Sequence, residues 1–106
     1  MSMDTIERLT STIRQATDYQ INKEILREKI LTDRHIAYNG GLFLVTPELI
    51  AFLATWETDQ VYLEDTYHNP IEVDRTELLT LAREHYQQIM NTWHQQHAEL
   101  RRLRKI

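Results

Sequence analysis

The chain of 106 residues has no cysteine, two glycines, two prolines and no long apolar run. Without cysteine there is no disulfide, no thiolate nucleophile and no Cys-type zinc or iron–sulfur site, which fits a reducing compartment. No stretch approaches the roughly 18 apolar residues that a membrane span needs. The opening, MSMDTIERLT, lacks the basic and apolar parts of a signal peptide. The expectation is a soluble chain with no membrane partner, kept in the cytoplasm where it is made. Positive charge is short as well. Twelve Lys and Arg stand against 16 Asp and Glu, a net charge of −4, which makes nucleic acid an unfavoured partner. Between His35 and Asp74 there is no Lys or Arg, only Glu48, Glu57, Asp59, Glu64, Asp65, Glu72 and Asp74, so this stretch carries −7 and its flanks together +3.

The few glycines and prolines punctuate the chain. From Asp4 to Thr32 there is neither, and Ile6, Leu9, Ile13 and Ala16 follow a three-four rhythm before the register moves to Tyr19, Leu26 and Ile30. That pattern predicts one long helix, with Ser2 or Asp4 to cap its first turn. Two apolar, aromatic runs then flank Asn39-Gly40-Gly41, where Asn and Gly supply the positive φ of a tight hairpin. Thr46-Pro47-Glu48 combines a capping hydroxyl, a proline at the first helical position and an acid in the first turn. It predicts a short helix from Pro47 to about Trp56. Leu49, Ile50, Phe52, Leu53 and Trp56 make that helix too apolar for a surface, so it is expected to form the core of a head. Val61–Glu64 and Ile71–Val73 around an Asp65–Pro70 loop read as a second hairpin, joined to the first in one sheet or separate from it.

Asp74 and Glu77 open the last helix as an acidic capping box. Along it Leu79, Ala82, Tyr86, Ile89, Trp93, Gln96, Leu100 and Leu103 form a heptad seam. A helix from Arg75 to Lys105 would be roughly 45 Å long, more than so small a chain can wrap around. Some of the seam therefore needs a partner helix. Arg101, Arg102, Arg104 and Lys105 suit the negative end of its dipole. The predicted fold is α+β and mostly helical. In one domain, residues 1–33 and 75–106 form two long antiparallel helices, flanking a head at 34–74 of two β-hairpins and a short helix.

No catalytic constellation emerges. His94 and His97, three apart with Glu99 nearby, could share a helix face, but two histidines lack the further ligands that zinc takes. His85 beside Tyr86 reads as a half-buried, hydrogen-bonded histidine, and His35 and His68 have no carboxylate partner that spacing alone can place. Glu64 and Asp65 are adjacent on a strand end, so they point to opposite faces and read as solvent-exposed acids. Asn39-Gly40-Gly41 lacks the following Lys and helix of a phosphate loop. Neither a metal nor a cofactor is expected, and the chain reads as a non-enzyme.

The order of a long polar helix with Arg27 and Lys29, then Tyr38-Asn39-Gly40-Gly41-Leu42-Phe43 leading into Thr46-Pro47-Glu48, then a hairpin ending Asn69-Pro70-Ile71 and a Leu-rich last helix, resembles an uncharacterised domain of tail and tail-fibre assembly proteins of tailed bacteriophages. The resemblance spans about Ile25 to Ile106. This chain differs in Tyr67-His68-Asn69-Pro70 at the second hairpin and in its basic end. The resemblance implies a virion component or assembly factor in the infected host cell, with a phage structural protein or a second copy as partner and no catalytic residue to carry over.

Two functions follow. In one, the helices pair with a protein partner or with themselves as a homo-oligomer, through Tyr86, Ile89, Trp93, Leu100 and Leu103 with Ile6, Leu9 and Ile13 opposite. In the other, a small regulatory protein docks its acidic head, through Glu57, Asp59, Glu64 and Asp65, onto a basic host or viral partner.

Overall fold

A computed structural model of the protein describes residues 3–103. The caps read at Ser2 and Asp4, and the basic residues Arg104 and Lys105, lie outside the described side chains. The order is α1 (Met3–Asp33), β1 (His35–Tyr38), β2 (Gly41–Leu44), α2 (Pro47–Thr55), β3 (Gln60–Glu64), β4 (Pro70–Asp74) and α3 (Arg75–Leu103). The fold is thus α+β and mostly helical, with a long helix at each end of a small β-containing head.

Each element follows from local chemistry. At the first hairpin Asn39 and Gly40 both take positive φ, 49° and 84°, so the two-residue turn twists with its strands and sets Tyr38 opposite Gly41 and Ile36 opposite Phe43. Gly41 serves packing instead: a Cβ there would lie 2.7 Å from Ile71 Cγ1. Thr46 Oγ1 accepts from Leu49 N–H at 3.0 Å and starts α2, and Asp74 Oδ1 accepts from Glu77 N–H at 3.1 Å to start α3. The hairpins form two separate two-stranded antiparallel sheets, β1–β2 and β3–β4.

The head core is Phe43, Leu53, Val61, Val73 and Leu78, with Ile36, Tyr38, Phe52, Leu63 and Ile71 packed around it. Burying each of the large aliphatic side chains contributes about 1.5–3 kcal/mol. Of α2 only Leu53 is fully buried; Leu49, Ile50 and Phe52 are half-buried, and Trp56 is 47% exposed, its ring stacked on Phe52 at 5.0 Å. The helix expected as the core of the head thus gives that core one fully buried residue, Leu53, with Leu49 and Phe52 packed against it, and leaves Trp56 on the surface.

α1 and α3 run antiparallel. At the head His85 Nε2 lies 2.5 Å from the Asp33 carbonyl oxygen, and far from it Leu100 and Leu103 lie beside Gln15, Asp18 and Tyr19. The molecule measures 71 × 23 × 18 Å, with a radius of gyration of 20.6 Å against about 13 Å for a compact chain of this length. The two helices project from the head as a stalk. Burial fades along it: Leu26 and Ile30 are buried on α1, Ala16 and Tyr19 are half-buried, and residues 5–15 are exposed.

Candidate functional site

The acidic head is held by three charged side chains at its joints. Asp65 is 5% exposed. Its carboxylate accepts from the N–H groups of Asn69 at 2.9 Å, Tyr67 at 3.0 Å and, across to the other hairpin, Leu42 at 3.0 Å. Thr66 N–H donates to the Leu42 carbonyl at 2.7 Å, so the second hairpin's corner covers the free edge of β2. The bonds from Asn69 and then Leu42 hold the Asp65 carboxyl below its ordinary pKa. Asp65 thus leaves the docking face read from the sequence. A turn acid that accepts from backbone two and four residues on satisfies buried peptide groups rather than facing water.

Arg34 and Arg75 bracket the stretch that has no basic residue. Arg34 Nε donates to the Val45 carbonyl at 3.0 Å, and its guanidinium stands 5.5 Å from the centre of the Tyr86 ring, tying α1, β2 and α3 together. Arg75 donates through Nη1 to the Leu53 carbonyl at 2.8 Å and through Nε to the Thr58 carbonyl at 3.1 Å, linking the end of α2 to the start of α3. These roles are invisible in periodicity. Their one sequence signal is position, each at the boundary of the acidic segment.

Other groups that chemistry could use are also tied to the fold. Burial holds the Tyr38 phenol above its ordinary pKa, with the charges of Glu77 and Asp74 pushing the same way. His68 lies 2.5 Å from Glu64 Oε1 through Nδ1, a carboxylate partner that sequence spacing did not place, and the pair is exposed. His85 is half-buried and hydrogen-bonded as read. Among the described residues, no three His, Asp or Glu side chains converge where they could hold a metal ion, and no helix is long and apolar enough to cross a membrane.

The seam residues divide. Tyr86, Ile89, Trp93 and Leu100 are half-buried along the side of α3 that meets α1, so much of the seam is spent within the chain. Leu103 is exposed, level with Gln15–Tyr19. Among the described residues the expected opposition to Ile6, Leu9 and Ile13 is not met, because α1 runs on past Leu103, the last described residue of α3. At 1.5 Å per residue Ile6 lies roughly 14 Å beyond Gln15. Ile6, Leu9 and Ile13 form an exposed apolar stripe on this overhang, Ile13 at 66%.

Two grooves run between the helices nearer the head. One, of about 320 Å³, is lined by Lys23, Arg27, Met90, Trp93, His94 and His97. The other has mixed charge, with Lys29 and Glu99 around Ile25, Leu26 and Leu100. Beside it Gln96 buries an amide oxygen that has no hydrogen-bond partner among the described residues. At the opposite end, the head exposes Trp56, Tyr62 and Tyr67 in the segment that carries Glu57, Asp59 and Glu64. Comparison with protein-family models, curated proteins and solved structures gives no match.

Proposed function

We propose that this protein is a non-enzymatic interaction module whose stalk pairs with the stalk of a second copy. The observation that supports it is the overhang: three large aliphatic side chains at heptad spacing, exposed on a helix that extends past the described end of its internal partner. Such a stripe on a projecting helix is a helix-pairing surface. The setting implied by the resemblance, assembly of a phage tail or tail fibre in the infected host cell, belongs to the same proposal.

Light scattering over a concentration series at low and high salt tests it. The expected result is a dimer or higher oligomer that persists in salt, because burial of Ile6, Leu9 and Ile13 does not depend on ionic screening. Leu9→Glu with Ile13→Glu disperses it while leaving the melting temperature of the monomer nearly unchanged, since both side chains are exposed there. A monomer at every concentration overturns the proposal.

A second reading is supported by the exposed aromatics beside Glu57, Asp59 and Glu64, which suit a basic protein surface. Charge reversal at Asp59 and Glu64 then weakens capture of a basic partner, and overhang substitutions do not.

A further inference from the structure

The groove at Lys23, Arg27, Met90, Trp93, His94 and His97 differs from everything else on the stalk. Its apolar residues, Met90 and Trp93, come from α3, and Lys23 and Arg27 come from α1. No acid lines it. The side chains of Lys23, Arg27, His94 and His97 make no hydrogen bond or ion pair among the described residues. Lys23 and Arg27 stand one helical turn apart, an arrangement in which like charges repel. Among the described residues these two cations and two imidazoles thus stand without a partner, beside half-buried apolar side chains.

A groove between two antiparallel helices is the seat of a third helix in a bundle. The charges along its rims select the partner, as flanking charges do in coiled coils. We infer that this groove receives an acidic amphipathic helix from a partner protein, with its apolar residues on Met90 and Trp93 and its carboxylates on Lys23 and Arg27. Charge complementarity decides the occupant. No helix of this chain has the required pattern: the acids of the overhang, Asp4 and Glu7, are offset by Arg8 and Arg14, α2 has the single acid Glu48, and α3 ends in Arg101 and Arg102. The surface is distinct from the apolar overhang, so failure of one assignment leaves the other standing.

Trp93 is a built-in reporter, because Trp56→Phe leaves it as the sole indole of the chain. The full-length Trp56→Phe protein is titrated with two synthetic helical peptides, each with leucine along one face, one flanked by glutamate and the other by lysine. The glutamate peptide is expected to shift Trp93 emission and to bind at least about tenfold more tightly than the lysine peptide. Lys23→Glu with Arg27→Glu reverses that order, the milder Lys23→Gln with Arg27→Gln removes the preference, and Lys29→Glu in the other groove changes neither affinity. Circular dichroism melts confirm that each variant is folded. Equal binding of both peptides, binding of neither, or a preference that survives Lys23→Glu with Arg27→Glu overturns the inference. So does a self-associated protein that binds no peptide and is dispersed by that charge reversal, since the occupant is then a second copy.

Discussion

At the scale of the residue, the head depends on a few polar groups satisfying backbone that would otherwise be buried unpaired. Asp65 does this across the two hairpins, and its depressed pKa makes its contribution pH-dependent. A carboxylate whose pKa is lowered in the folded state stabilises fully above its unfolded value, 3.8 for Asp, and the contribution is lost as pH falls toward the folded value. Thermal melts between pH 6 and about pH 3 therefore show an acid-side loss of stability. Asp65→Asn melts roughly 5–10 °C lower at pH 6, with a shallower acid limb; an unchanged limb would remove Asp65 from this role. Arg75 makes a parallel case. Arg75→Ala is expected to lower the denaturant midpoint by an amount equivalent to about 2 kcal/mol. Arg75→Lys recovers little, because one ammonium cannot reach the Leu53 and Thr58 carbonyls with the geometry of the guanidinium. Full rescue by lysine would show that charge alone matters.

At the scale of the element, the two long helices are held unevenly. Near the head, Leu26, Ile30 and Ala82 are buried. Farther out, the apolar rhythm of α3 is interrupted by Gln96, whose amide oxygen is buried without a partner among the described residues. An unpaired polar atom of this kind costs more than an apolar replacement of similar size. Gln96→Leu is expected to stabilise the chain by about 1 kcal/mol, seen as a higher unfolding midpoint with the same slope. A lower midpoint would mean that the amide has partners on the far side of the seam. Amide exchange should be slowest in the buried turns of α1 around Ile30 and fastest in the exposed turns around Leu9, in proportion to the packing each turn receives.

At the scale of the whole molecule, shape and charge are both polar. A stalk of net positive charge projects from a head whose charge of −7 exceeds the −4 of the whole chain, and the cationic groove lies on the stalk. This separation gives the three surfaces different signatures. Pairing through the overhang is apolar and resists salt, whereas occupation of the groove and docking of the head both weaken as salt screens their charges. Salt dependence therefore separates pairing through the overhang from the two charged associations, and the sign of the partner's charge, acidic for the groove and basic for the head, tells those two apart.

Much of the architecture is legible in the sequence. The Asn39-Gly40 turn, the Thr46-Pro47-Glu48 helix start, the Asp74 cap and the two long helices are local, and local sequence determines them because capping, φ preference and hydrophobic period act within a few residues. Tertiary structure alone decided four things: that the hairpins form separate sheets, that Asp65 is buried, that Arg34 and Arg75 hold the joints, and that α1 outruns the described end of α3. Each depends on which distant segments meet. The heptad seam on α3 offered the same apolar face to an internal helix or to another chain. The antiparallel return of α1 gave most of that face to the monomer, leaving the overhang and the cationic groove outside.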